Sequence, residues 1–434
     1  MNQTLLTAVE RKTATLGVIG LGYVGLPVAC LFADAGFRVI GLDVKPERVA
    51  QINAGDCPIK GQEPGLADLM ARVVADGNLT ASSNYAALHE ADVITINVET
   101  PVDAQNVPRY AALRAVCQSL GPVLKPGALV IVESTVAPGT LDGLVRPLLE
   151  ASSGGQVDRD FHLAVCPERV MPGKLLANLR EMSRVIGGSS PEAERLALAL
   201  YRHIVRADLD TTDCITAELV KTTENAYRDV QIAFANEVAL ICEVTGSDVW
   251  RLRELVNKSP YRQMHLPGTG VGGHCIPKDP WLLAYGAGDR APIRLIPAGR
   301  AVNESMPLHV AEMTLSALDQ AGVDRASARV VVLGYAYLEN SDDTRHTPAE
   351  PLVARLRQAG IEPIIHDPYV GQYQGDLAAL IRGADCLVLT VRHDAYLALD
   401  LDWVHDAMRT PVLIDGRNAW GRVEGFIWRS VGRG

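Results

Sequence analysis

Short apolar runs rich in valine and isoleucine alternate along the chain with longer stretches of helical periodicity, which is the pattern of parallel α/β structure. Residues 16–19, 37–42, 92–98 and 128–132 predict buried strands in the first half, and 329–333, 361–366, 385–391 and 411–414 repeat the rhythm in the second. Two doubly wound, Rossmann-like domains are implied, and DVITINV at 92–98 has a formal counterpart in DCLVLTV at 385–391. Between them, 212–246 predicts one long helix: it has no internal glycine or proline, Thr212 or Asp213 stands ready as N-cap, and Gly246 ends it. Apolar residues occupy most of its faces (Leu219, Val220, Tyr227, Ile232, Phe234, Val238, Ile241), so packing on several sides is expected, including against another subunit. A second helix near 248–257 and a glycine-rich loop at 267–273 follow.

Composition narrows the class. The 434 residues are 48% hydrophobic and 21% charged, which excludes disorder as the dominant state and sets an expectation of two or three domains. A net charge of -10 argues against nucleic acid or an anionic membrane as partner. The eight cysteines show neither a C-x-x-C pair nor zinc-site spacing, so neither a disulfide framework nor a metal is expected. Residues 1–14 lack the apolar core of a signal peptide, and no membrane-length apolar run occurs, so a soluble cytoplasmic protein is expected.

Two loops carry candidate chemistry. In LGVIGLGYVG, a strand runs into Gly20-Leu21-Gly22-Tyr23-Val24-Gly25 and a helix pattern follows. Gly20 suits the tight turn, Gly22 leaves room for a pyrophosphate, and Gly25 allows close packing of helix on strand. Asp43 ends the next strand, where a carboxylate accepts from ribose hydroxyls and favours NAD, although Lys45 and Arg48 nearby blunt the exclusion of NADP. The second loop, GTGVGGHCIPKD, sets Cys275 directly after Gly270, Gly272, Gly273 and His274, with Asp279 four residues on. By spacing alone, Cys275 is either a small packing residue or a nucleophile. Lys221 and Asn225 lie one helical turn apart, and either converge on one oxygen or form a solvated stripe.

GVGGHCIPKD resembles the nucleophile signature of the UDP-glucose/GDP-mannose dehydrogenase family. GLGYVGLP, VETP (98–101), EST (133–135), PER (167–169), ELVKTTENAYRD (218–229), DDTR (342–345) and DGRN (415–418) follow the family order over nearly the whole chain. The resemblance implies an NAD-dependent four-electron oxidation at C6 of a nucleotide-linked hexose, through a thiohemiacetal and a thioester on Cys275. It gives Lys221, Asn225, Asp279 and Glu168 assisting roles. Cofactor residues would be Gly20, Gly22, Tyr23, Val24, Gly25, Asp43, Arg48, Thr100, Thr135 and Arg345. Substrate residues would be Arg169, Lys221, Asn225, Arg262, Gly270, Gly272, Tyr337 and Arg417.

The division implied is an NAD-binding domain (1–210), a central helical, dimerising and catalytic-loop region (211–310) and a UDP-sugar-binding domain (311–434), in a homodimer or higher homo-oligomer. His274 before the cysteine, EST in place of KST, and PERVMPG in place of PEF are similar to the N-acetylhexosamine branch. UDP-N-acetyl-mannosamine is therefore the expected substrate, with UDP-N-acetyl-glucosamine and UDP-glucose as alternatives. Leu338 stands where the family commonly has lysine, so either the substrate phosphate or sugar is held differently or Arg417 carries more of that charge. The rivals are a two-electron hydroxyacid or sugar-phosphate dehydrogenase, which needs no cysteine, and a silent NAD-binding sensor, which needs neither Lys221 nor Cys275.

Overall fold

Strands β1 (Thr15–Ile19) and β2 (Arg38–Leu42) each bury every residue but the first, so neither alternates toward solvent. In the computed structural model, which describes residues 2–59 and 63–434, they belong to a unit built from residues up to Glu224 together with Trp281–Ala291. With β3 (Leu79–Ser82), β4 (Val93–Ile96), β5 (Leu129–Val132), β6 (His162–Val165), β7 (Arg184–Gly188) and β8 (Leu209–Asp213), they form one sheet in the order β3-β2-β1-β4-β5-β6-β7-β8. All pairs are parallel except β6 with β7. The first six strands have the dinucleotide-binding order, with its switch point between β1 and β4. Helices cover both faces: Leu16, Val18 and Phe32 lie in one core, and Ile19, Ile94 and Val130 in the other. Of the N-terminal stretch, Met1 lies outside the described residues and Asn2–Glu10 is helical.

The second unit comprises Asn225–Pro280 and Pro292–Gly434. Its sheet is wholly parallel, in the order β10-β9-β11-β12-β13, from β9 (Val330–Leu333), β10 (Ile364–His366), β11 (Cys386–Leu389), β12 (Val412–Asp415) and β13 (Ile427–Ser430). The echo between the halves extends to hydrogen bonding. Asp92 accepts the Thr15 N–H at 2.9 Å and pairs with Lys125; Asp385 accepts the Arg329 N–H at 2.8 Å and pairs with Arg409. Asp43 accepts the N–H of Leu21 in the loop after β1, and Asp367 accepts those of Tyr335 and Ala336 in the loop after β9. Asp367 also takes His393 Nε2 at 3.1 Å. Burial opposes its ionisation, yet His393 and the backbone N–H groups hold its carboxyl down at about 2.

The long helix runs from Cys214 to Thr245. Asp213, the last residue of β8, is its cap, accepting the Thr216 N–H at 2.8 Å, and Thr212 lies one residue further back in the strand. Gly246, at φ 72, stops it. Asp248 caps the following helix, Val249–Asn257. Residues 211–310 contribute to both units.

Candidate active site

At the end of β1, Gly20 has φ 88, and a Cβ there would meet the Asn97 carbonyl oxygen at 2.5 Å. A Cβ on Gly25 would meet the Gly20 carbonyl oxygen at 1.9 Å, so helix and strand are in backbone contact. Gly22 has nothing within 4 Å of its Cβ position, which leaves the loop open where a pyrophosphate would lie beside the helix Gly25–Asp34. Asp43 accepts from Leu21 N–H and Lys45 N–H, each at 3.0 Å, and from Arg48 Nη1 at 3.1 Å. Arg48 is thus spent on Asp43 and is not a free cation awaiting a 2'-phosphate. The donor set, the opening at Gly22 and the carboxylate fit NAD.

The ends of β4 and β5 meet beside this loop. Thr100 donates to the Thr135 carbonyl at 2.6 Å, and Ser134 to the Val98 carbonyl at 2.6 Å. Glu133 is buried beneath them, accepting from Tyr201 Oη at 2.7 Å and Arg184 Nη1 at 3.2 Å. Sequence reasoning passed over Arg184 and Tyr201, since each is an ordinary residue of a strand or helix until the fold buries it. Glu168, after β6, lies within the electrostatic reach of Arg184. Its neighbour Arg169 is clamped by Glu224 and by the Ser183 carbonyl, which fastens the PER loop to the long helix.

That helix carries Glu218 and Lys221. Glu218 is buried and accepts the N–H groups of Gly139 (2.6 Å) and Leu141 (2.8 Å), which tether the loop beyond Thr135. Burial outweighs those two bonds and pushes its carboxyl up to about 7. Lys221 is only 8% exposed, and among the described residues it forms no ion pair.

In the second unit, Cys275 is exposed, whereas Cys57 is half-buried and the other six free cysteines are buried. Burial pushes the Cys117 and Cys214 thiols up to about 12, so they are inert packing residues. The carbonyl of Cys275 accepts the Asp279 N–H at 2.8 Å, and Asp279, itself fully buried, takes Asn225 Nδ2 at 2.5 Å and Lys278 Nζ at 3.2 Å. The backbone of Cys275 is thereby linked to Asp279, whose carboxylate holds the Asn225 amide. Burial, then Lys278 and Arg345, pushes the His274 imidazole down to about 4, so it is neutral at physiological pH.

The glycines before Cys275 serve protein packing as well as any ligand. A Cβ on Gly272 would meet Tyr337 Cβ at 2.6 Å and the His346 carbonyl at 2.8 Å, and Gly273, at φ 94, lies against the Tyr337 ring and donates to the Arg345 carbonyl at 2.8 Å. Gly270 is hemmed in by Pro307 and Pro348. Arg417 donates to the Gly270 carbonyl (3.2 Å) and the Thr390 carbonyl (2.9 Å), so its charge braces this loop. Gly268 N–H is held by Asn236, which belongs to a buried polar group with Asn303, Asp229 and Arg300. Arg345 forks onto Asp343, and Arg262 is exposed beside Tyr261.

The first sheet has the strand order and glycine turn of a dinucleotide-binding enzyme, and the second unit carries an exposed cysteine on a glycine-rich loop. The chain belongs to the UDP-glucose/GDP-mannose dehydrogenase family: its NAD binding domain matches residues 14–205, its central domain 215–305 and its UDP binding domain 331–422. It is therefore an NAD-dependent nucleotide-sugar dehydrogenase. It is similar to UDP-N-acetyl-D-mannosamine dehydrogenase of Pyrococcus horikoshii, 39% identical over 96% of this chain and 99% of that one, whose solved structure superposes with a TM-score of 0.92. The enzyme of the same name from Escherichia coli is 36% identical over 94% of this chain and 99% of its own. An NDP-N-acetyl-D-galactosaminuronic acid dehydrogenase structure from Methanosarcina mazei is 35% identical, covering 99% of this chain and 98% of its own, at TM-score 0.85. Among the described residues, no helix is long and apolar enough to cross a membrane.

Proposed function

We propose that this chain oxidises C6 of UDP-N-acetyl-mannosamine to the carboxylate, UDP-N-acetyl-mannosaminuronate. The observation that carries the reading is Cys275, exposed on a loop whose backbone is fixed to buried Asp279 and, through it, to Asn225. Bound NAD would accept one hydride in each of two oxidations. In the first oxidation the hydroxyl proton passes to a water oriented by Asp279 as the hydride leaves C6. Lys221 offers its buried ammonium to the reacting oxygen, first as alcohol and then as oxyanion, with Asn225 one turn away on the same helix. Once the aldehyde has formed, the Cys275 sulfur adds to its carbon to give a thiohemiacetal. Loss of the second hydride leaves a thioester. Water, oriented by Asp279 and Glu168, supplies the second oxygen and releases the thiol.

Thr100 and Thr135 line the nicotinamide side, and Gly20, Gly22, Tyr23, Val24, Gly25 and Asp43 hold the dinucleotide. Arg48 and Arg345 serve the cofactor through the aspartates they pair with. Arg169 and Arg417 act on the sugar nucleotide by fixing its loops, and Tyr337, Gly270, Gly272 and Arg262 complete its surroundings. We read 1–210 as the NAD-binding domain, 211–310 as the central region and 311–434 as the UDP-sugar domain.

The choice of sugar rests on the names of the full-length relatives and on His274, EST and PERVMPG. Comparing kcat/KM for UDP-N-acetyl-mannosamine, UDP-N-acetyl-glucosamine and UDP-glucose tests it. The highest value is expected with the first, and a higher value with either of the others would reassign the substrate. A homodimer in the cytoplasm completes the reading, supported by an apolar line on the long helix and by the scattered spacing of the eight cysteines.

A further inference from the structure

Two loops of the first unit carry the residues assigned above to different ligands: Gly20–Gly25 to the cofactor, and 166–174, which includes Glu168 and Arg169, to the sugar. Glu63 touches both. Its Oε1 accepts from the Tyr23 hydroxyl and from Gly173 N–H at 2.6 Å, while Oε2 accepts from Leu175 N–H at 3.1 Å. Leu175 opens the helix Leu175–Glu181, whose N-cap, Lys174, makes no side-chain capping bond. Glu63 therefore caps that helix from a distant part of the chain and ends the sugar loop at a fixed point. The same carboxylate anchors the Tyr23 side chain of the G-L-G-Y-V-G turn. Three donors on two oxygens leave little freedom: when either loop shifts, the other loses part of its acceptor.

We propose that Glu63 is a positioning residue that couples the two loops, so that ordering the cofactor turn also orders the sugar loop and the two ligands bind cooperatively. The inference rests on the assignment of 166–174 to the sugar. Coupling of this kind is reciprocal, and a shared charged acceptor is expected to give an effect on the order of five- to tenfold.

NADH with UDP-N-acetyl-mannosamine forms a complex that cannot turn over, so the coupling can be read from the fluorescence-monitored Kd of NADH with and without the sugar nucleotide. In the wild-type protein the sugar nucleotide should tighten NADH by roughly that factor. In Glu63→Gln and in Tyr23→Phe the factor should fall toward one. Tyr23→Phe removes a single hydroxyl and keeps the test decisive if Glu63→Gln does not fold. A purely structural role would weaken both affinities and leave their coupling factor unchanged, and that result would overturn the proposal, as would a factor of one in the wild type. Turnover of UDP-N-acetylhexosamines by the wild-type protein is measured alongside. Its absence would sink the functional reading and the coupling together, whereas normal turnover with unaltered coupling in the variants would sink the coupling alone.

Discussion

Lys221 sets burial against charge: it is 8% exposed, and no carboxylate among the described residues pairs with it. Proteins rarely keep such an ammonium unless its partner is a ligand or a developing negative charge. Lys221→Met should therefore lower kcat by about 10² to 10³, the usual worth of one such donor. Its thermal midpoint should stay level or rise, because an uncompensated charge has been removed. Loss of activity matched by a large loss of stability would instead mark Lys221 as structural. At this scale the sequence could single out residues whose type carries a chemistry of its own, as with Cys275, Asp279 and Asp43. It marked Glu133 only as part of the EST motif and was silent on its partners Arg184 and Tyr201, whose importance lies in burial and in contacts that are far apart along the chain. Arg169, Arg345 and Arg417 also look like free cations in the sequence, and only the fold shows each of them engaged with the protein.

At the scale of elements, the apolar runs announced the strands buried on both faces, but not all strands are of that kind. β8 (LDTTD) is largely exposed and polar, and β13 (IWRS) carries an arginine, so neither has a run to detect. Helix ends were more legible, because Asp213 and Gly246 act through local geometry. Within the long helix, Glu218 links an element to pH. Its carboxyl sits at about 7, above the ordinary 4.5, so between these values the native state holds a proton that the unfolded chain has released. Stability from this group is fully present below about pH 4.5 and is lost as pH rises through about 7. Glu218→Gln should flatten that part of the profile of thermal midpoint against pH, a difference of a few degrees. An unchanged slope between pH 5 and 7 would remove Glu218 as its source.

For the whole molecule, the exposed apolar residues of the long helix matter most. Tyr227, Phe234 and Ile241 recur at seven-residue intervals and are 64%, 59% and 53% exposed, and Val244 is 85% exposed. A line of this kind is a seam for another helix, and a second copy of the chain is the partner proposed. Phe234→Glu should shift the mass in solution from dimer to monomer in sedimentation or light scattering, and a wild-type protein that is already monomeric at micromolar concentration would refute the dimer. The periodicity alone revealed an apolar helix on most faces; which of those faces stays bare depended on how the second unit packs around Ala235, Ala239 and Cys242.

The central claim is that one thiol lets the enzyme carry an alcohol to a carboxylate. The most direct measurement counts NADH formed per UDP-N-acetyl-mannosamine consumed, in the wild-type protein and in Cys275→Ser. The account expects a ratio near two with uronate as product in the wild type, and no uronate from Cys275→Ser. A ratio near one in the wild type, or undiminished uronate from the variant, would contradict it.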